Sequence, residues 1–396
     1  MNDASQVYDA AVIGGGPAGL TAAVALAATG ARIALLARRV PYADNRTTAL
    51  LGASTDLLER LDVWPRCRDK AAALRTMRLV DDTGRLIRAP EVRFSSDEIG
   101  LEQFGYNIDN RSLMVALEER AAELSNLTRF DDEAVTIAPQ DALVTVSTGK
   151  GSQLAARLVI GADGRQSPSR EAAGIAISRR DLRQSALTFN ISHSRPHNGI
   201  STEFHTAQGP CVFVPLPGNR CSVVWVAATR EAERLMSLSD GELSEAAEKQ
   251  SHSILGRVEV EAGRNLFPLT IERPEQFASH RVALVGESAH VVPPIGAQGL
   301  NMGLRDAADV ADIAGDALSR GEDPGSPAVL ARYQSARRAD VASRLIAIDV
   351  ANRSLLSDFL PMQSLRAAGM HLLGSFGPLR RLAMREGLAP TWKRVG

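Results

Sequence analysis

Three clusters of residues suited to chemistry lie far apart in the chain, and each follows a short apolar run. Residues 8–13 lead into Gly14-Gly15-Gly16-Pro17-Ala18-Gly19, and residues 157–162 lead into Asp163-Gly164-Arg165. Residues 281–285 lead into Gly286-Glu287-Ser288-Ala289-His290. The chain then continues as Pro293-Pro294-Ile295-Gly296-Ala297-Gln298-Gly299-Leu300-Asn301. The first cluster suits a pyrophosphate. Gly14 permits a tight turn, Gly16 lets the backbone approach phosphates, and Gly19 lets a helix pack closely on a strand. A helix starting at Pro17 loses nothing by proline's missing N–H, and its positive end faces an anion.

The elements around this turn are the ones it needs. Residues 8–13 read as a buried strand, 20–28 as an Ala/Leu-rich helix, and 32–36, after Gly30, as a second buried strand. Strand, glycine turn, helix and parallel strand form a dinucleotide-binding unit. One part is missing. The second strand should end in an acid for the adenosine ribose, but position 37 is Ala, followed by Arg38 and Arg39. An arginine there can instead serve the 2′-phosphate of NADP, so this motif alone does not choose between FAD and NADP.

The three clusters together resemble the class A flavoprotein monooxygenases, the group that contains para-hydroxybenzoate hydroxylase. The resemblance also takes in Asp44-Asn45-Arg46 and Arg111 in Asn110-Arg111-Ser112-Leu113. It implies FAD as cofactor, with Gly14, Gly16, Pro17, Ala18, Gly19, Arg46, Arg111, Asp163, Gly286, Glu287, Gly299, Leu300 and Asn301 as binding residues, and Arg38, after the second strand, is read as a further cofactor contact. The turn at 296–299, heading a helix over 302–318, would aim N–H groups at the flavin and stabilise negative charge when the ring is reduced. Pro293, Pro294, Gly296 and Gln298 would wall the reactive flavin edge; no residue stands out as a base for the phenol. Glu287 departs from the family's Asp. Together with Ala37 it is expected to weaken FAD by about 1–3 kcal/mol through lost or distorted hydrogen bonds, so that FAD is partly lost on purification. His290 reads as a cofactor neighbour or a structural hydrogen-bonding group.

The fold class expected is α/β: a Rossmann-like FAD-binding domain with an inserted antiparallel β-sheet substrate domain and a C-terminal helical region. The FAD-binding part is assigned to 1–74, 106–180 and 276–340, the substrate domain to 75–105 and 181–275, and the helical region to 341–396. Within the insertions, 77–80 and 85–87 read as a hairpin, and 186–191, 212–215 and 222–227 as strands, with a turn at Pro217-Gly218-Asn219. A helix over 235–255 should cover that sheet. Phe204, Phe213, Leu216 and Trp225 suit either a pocket lining or, more simply, core packing.

The tail, from Tyr333 through Arg337, Arg338, Asp340 and Arg344 to Arg385-Glu386-Gly387-Leu388, resembles the ubiquinone-biosynthesis hydroxylase branch of that superfamily. This implies NAD(P)H- and O₂-dependent hydroxylation of a phenolic, polyprenyl-bearing ring through a flavin C4a-hydroperoxide. NAD(P)H would bind transiently as co-substrate, because the single dinucleotide unit is taken by FAD. Rival readings are a flavin reductase of prenyl double bonds, a halogenase, and a non-catalytic subunit of a biosynthetic complex. Halogenases usually carry paired tryptophans, whereas Trp64, Trp225 and Trp392 are isolated.

Composition narrows the partners. A formal net charge of −1 gives no field for nucleic acid. Cys67, Cys211 and Cys221 lack metal spacing and cannot all pair, which suits a reducing cytoplasm. His193 and His197 are four apart, but Pro196 breaks a helix between them, so no metal site is expected. Neither a signal peptide nor a spanning helix is read. The basic end (Arg366, Arg380, Arg381, Arg385, Lys393 and Arg394 against Glu386) suggests either a solvated helix face or peripheral docking at the inner face of a membrane or in a complex.

Overall fold

The computed structural model describes residues 7–39, 42, 45–85, 88–294, 296–356, 367–369, 371–372 and 375–388. The apolar runs before the three clusters become neighbouring parallel strands. Val7–Ile13 pairs with Gln153–Gly161 on one side and Ile33–Leu36 on the other, and Gln153–Gly161 pairs in turn with Val282–Leu284. Ile33–Leu36 and Val282–Leu284 are buried throughout, which is why they are uninterrupted apolar runs and not alternating ones. Parallel pairing brings the C-terminal ends of all these strands, and so the three clusters, to one edge of the sheet. Helix Pro17–Ala28 is buried from Gly19 to Ala27 and packs between the sheet and helices Asn110–Glu123 and Gln298–Ser319. Its small, apolar composition fits a helix enclosed on all sides.

The second sheet has seven strands, in the order Val258–Pro274, Ile177–His193, Arg220–Ala228, Gly209–Leu216, Ile200–Thr206, Thr76–Asp81 and Val92–Ser95. Neighbours are antiparallel except Ile200–Thr206 and Thr76–Asp81, which run parallel. The partner of Thr76–Asp81 in its hairpin is Val92–Ser95, not the expected 85–87, of which 86–87 lie outside the described residues. The Asp81 carboxylate explains the longer loop: it accepts from Thr83 N, Thr83 Oγ1 and Ala89 N, fixing a turn that carries the chain past position 85.

One face of this sheet packs Leu187, Phe189, Phe213 and Val223 against Leu235 and Leu243 of two helices. Those helices, Thr229–Ser237 and Asp240–Gln250, replace the single helix expected over 235–255. The break is a capping box, in which Ser239 and Glu242 satisfy each other's backbone N–H. Phe204 and Phe213 are in this core, edge to face at 5.9 Å, and Trp225 packs beside them. A small sheet of Thr47–Leu51, Gly105–Asp109 and Ala71–Leu74 packs against the second sheet and against helix Gln298–Ser319. Helices Pro327–Leu356 and Gly377–Leu388 follow the last motif.

Candidate functional site

A cavity of about 480 Å³ lies between the clustered loops and the free face of the seven-stranded sheet. From the loops it is lined by Gly16, Pro17, Ala18, Gly19, Arg46, Gly286, Glu287, Pro294, Gly299 and Leu300. Gly14 has φ +113°, and a Cβ there would stand 2.2 Å from Ala162 O; a Cβ on Gly19 would stand 2.1 Å from Gly14 O. Only glycine lets these three chain segments meet. Gly16 differs: a Cβ there would touch nothing within 4 Å, so the backbone faces open space. Gly16 also caps helix Pro17–Ala28 without any side-chain bond, which leaves the first-turn N–H groups for a ligand. An open backbone approach beneath an uncapped helix start fits a pyrophosphate, and with it a dinucleotide.

The late motif is held from behind by buried charge. Asp306 accepts from Gly286 N at 2.9 Å and pairs with His290 Nε2 at 2.7 Å. Arg337 Nε lies 2.6 Å from the other Asp306 oxygen, and its two terminal nitrogens reach Asp309 and Asp340 at 2.7 and 2.8 Å. Arg305 reaches the same Asp340 at 2.8 Å. Asp306, Asp340 and Arg337 are fully buried. Burial alone would push both carboxyls up. Arg337 and His290 outweigh it at Asp306, which stays below the usual carboxylate range, and Arg305 and Arg337 hold Asp340 at about 2. His290 lines the cavity and hydrogen-bonds Asp306.

The opposite wall is nearly neutral. Alternation along the strand turns Ala186, Thr188 and Asn190 toward the cavity and leaves Leu187 and Ile191 in the core behind. Ser222, Val224, Asn265, Phe267 and Leu269 come from the neighbouring strands. Asn45 stitches the two walls: its amide donates to Ala262 O, and its carbonyl accepts from Asn190 Nδ2 at 3.0 Å. Arg46, next to it, lies 5.8 Å from the Phe267 ring centre.

Other residues singled out in the sequence sit as follows. Asp163 turns inward, accepting from Ser167 Oγ and from Ser169 N, while its neighbours Gly164 and Arg165 line the cavity. Arg165 meets Glu287 at 3.3 Å, so the central and late motifs touch through side chains. Asn301 is fully buried and ties the late turn to the small sheet, accepting from Leu51 N and Ser54 Oγ and donating to Ala49 O and Ala297 O. Gln298 donates to Gly296 O, and its own Oε1 is buried without a partner among the described residues. Pro293 and Gly296 stand beside the cavity lining and not in it; Ile295 and Asp44 lie outside the described residues. Arg38 is exposed and pairs with Glu133 at 3.3 Å, and Arg111 is exposed at the start of helix Asn110–Glu123. Beside Ala37, Arg129 Nη2 donates to Ala37 O at 3.2 Å, and Arg129 also pairs with Glu118.

The three cysteines are buried with thiols pushed up by burial, Cys67 and Cys221 to about 12. His197 binds Leu216 O, Gly218 O and Gly199 N, and no metal-binding group of side chains occurs among the described residues. Sequence reasoning missed the Asp306 network and the polar wall residues Thr188, Asn190 and Asn265. Charged residues inside the Ala-rich stretch 302–318 were the available signal for the first.

The geometry defines a glycine-cradled site suited to a dinucleotide, facing a sheet-walled cavity of mixed polarity. The FAD-binding domain family matches residues 7–348, and the chain belongs to that family. It is similar to the ubiquinone hydroxylase UbiL of Rhodospirillum rubrum, 32% identical over 392 residues that cover 97% of this chain and 90% of that protein. The 3-demethoxyubiquinol 3-hydroxylase of Escherichia coli (strain K12) is 29% identical, covering 97% of this chain and 99% of that one. In fold it matches the p-nitrophenol 4-monooxygenase PnpA of Pseudomonas putida DLL-E4, with TM-score 0.79, 21% identity and 98% of each chain covered. The chain is an FAD-dependent monooxygenase.

Proposed function

We propose that this enzyme hydroxylates the phenolic ring of a polyprenyl-phenol intermediate of ubiquinone biosynthesis, using O₂ and NAD(P)H. The observation that carries this reading is similarity to two ubiquinone-pathway hydroxylases along nearly the whole chain, joined to a cavity whose sheet wall is mostly apolar. Segments 1–74, 106–180 and 276–340 serve the cofactor, and 75–105 with 181–275 serve the substrate. Bound FAD supplies the reduction of O₂ and the transfer of one oxygen atom to the ring. The protein's share is positioning. The N–H groups of Gly16 and Ala18 would take the pyrophosphate, and the start of helix Gln298–Ser319 would offer its positive end to the ring system. Pro294 and Leu300 close one side of the cavity and Phe267 and Leu269 the other, which keeps water from the reacting atoms. NAD(P)H visits and leaves.

The test is incubation of the FAD-loaded enzyme with 2-prenylphenol, NADH or NADPH and oxygen-18 gas. The expected product is a hydroxylated ring carrying one labelled oxygen. Consumption of NAD(P)H with hydrogen peroxide as the sole product, or reduction of the prenyl double bond, defeats the reading.

Peripheral association with a membrane is part of the same proposal. No helix among the described residues is long and apolar enough to cross a bilayer. Leu372, Phe376, Leu379 and Leu382 are exposed at helical spacing, with Arg381 and Arg385 exposed beside them, a composition suited to an anionic lipid surface. Arg380 is used differently: it bonds Glu98 at 2.6 Å and lies over Phe94, anchoring the helix to the sheet edge. Arg366, Lys393 and Arg394 lie outside the described residues.

A further inference from the structure

The sheet wall of the cavity carries four polar side chains, and two of them are already engaged. Asn190 Nδ2 donates to Asn45 O, and Asn107 Nδ2 donates to Ser222 Oγ at 3.2 Å. Thr188 is different. Its Oγ1 is buried and has no hydrogen-bond partner among the described residues. Its neighbour across one strand pairing is Val224, which offers no polar atom, and across the other it is Asn265. Directly opposed residues on one face of an antiparallel pair lie about 5 Å apart at Cβ, so one small ligand group can meet both side chains. The next row is Ala186 opposite Phe267, which is apolar. A buried hydroxyl without a partner is rare and unfavourable, and at a cavity wall it is satisfied by whatever enters.

We propose that Thr188 and Asn265 are the specificity pair that holds the ring hydroxyl of the substrate. The inference rests on the phenolic reading above. The Thr188 hydroxyl takes the phenol's O–H, and the Asn265 amide donates to the same oxygen. The aromatic face lies against the apolar row of Ala186 and Phe267. A neutral hydroxyl suits this neutral pair, whereas a carboxylate would call for a guanidinium, which the row Val224, Thr188, Asn265 lacks.

The experiment compares 2-prenylphenol with its O-methyl ether, which keeps the shape and loses the donor. Binding of each is followed by the perturbation of the flavin spectrum in the FAD-loaded wild type, T188V and N265L. The wild type should prefer the phenol roughly tenfold, the effect of one good hydrogen bond. In T188V the preference should fall to near unity with affinity for the ether unchanged, and N265L should reduce it in part. An unchanged preference in T188V overturns the proposal, and so does equal weakening of both probes, the mark of a merely structural residue. A Thr188-dependent preference without any hydroxylated product sustains the pair and removes the functional reading. Hydroxylation by the wild type with an unchanged preference in T188V does the reverse. A wild type that binds neither probe overturns both.

Discussion

The two walls of the cavity are built on opposite plans. Behind the cofactor loops, charge is buried and matched: Arg337 faces Asp306, Asp309 and Asp340, and Asp306 hands that order on to Gly286 N and His290. Across the cavity the sheet is neutral, packs an apolar core behind it, and leaves Thr188 Oγ1 without a partner. A buried ion network contributes little net stability but is costly to break, so it fixes one geometry. An open hydroxyl costs stability until a ligand meets it. Under the proposed function the difference is a division of labour: the wall for a resident cofactor is locked, and the wall for a transient substrate is left incomplete.

Breaking the locked wall should have the largest effect. Arg337→Met leaves Asp306 and Asp340 buried with fewer partners and should cost about 3–5 kcal/mol, read as a lower midpoint in thermal or urea unfolding. A loss under about 1 kcal/mol would mean that the network is not what holds the loops. The next effect is one of pH. Asp340 is held at about 2, below its ordinary unfolded value of about 3.9, so its ionised form stabilises the fold by about 2–3 kcal/mol. That contribution is fully present above about pH 4 and is lost as pH falls toward 2. Asp340→Asn should therefore flatten the slope of stability against pH between about 4 and 2, leaving the neutral range without a new slope.

A third variant asks whether the two walls act together. Gly263 has φ +89°, and a Cβ there would stand 2.3 Å from Asn45 Nδ2, the amide that stitches the cofactor loop to the sheet. Gly263→Ala should cost about 1–2 kcal/mol and weaken FAD in a fluorescence titration. Lost stability with unchanged FAD affinity would show that the walls are independent. The smallest change is expected in the open wall: T188V should leave the stability unchanged or raise it by up to about 1 kcal/mol, because an unpartnered hydroxyl disappears. A clear loss would mean that Thr188 has a structural partner.

The two walls also differ in how readable they are from residues alone. The glycine turns are legible because their constraint is local: Gly14 needs a positive φ and Gly19 a missing Cβ, whatever lies elsewhere. The capping box at Ser239 and Glu242 was equally local and would have split the helix read over 235–255. The charges in the stretch 302–318 marked one side of the Asp306 network, but its partners were not legible, since Arg337 and Asp340 reach it only through the packing of two helices. Thr188 was hidden for a related reason. Alternation shows that it shares a face with Ala186 and Asn190, but only the register of three strands shows which neighbours fail to satisfy it. The hairpin over 77–87 failed because Asp81 gathers backbone N–H groups from a longer loop.

The strand order has a consequence for how the protein is made. Val7–Ile13 lies in the middle of its sheet, yet one neighbour begins at Gln153 and the strand beyond it at Val282. Thr76–Asp81 likewise waits for Ile200–Thr206. On a ribosome adding about 5–20 residues per second, the first glycine turn emerges roughly ten to fifty seconds before the last strand that completes its sheet. Until Gln153–Gly161 follows, roughly seven to thirty seconds after the turn, the apolar edge of Val7–Ile13 is an unpaired template, the kind of surface that chaperones cover and that aggregates when they are scarce. The three clusters meet only once Val282–Leu284 has paired, so the cofactor site forms only after the late motif has been made.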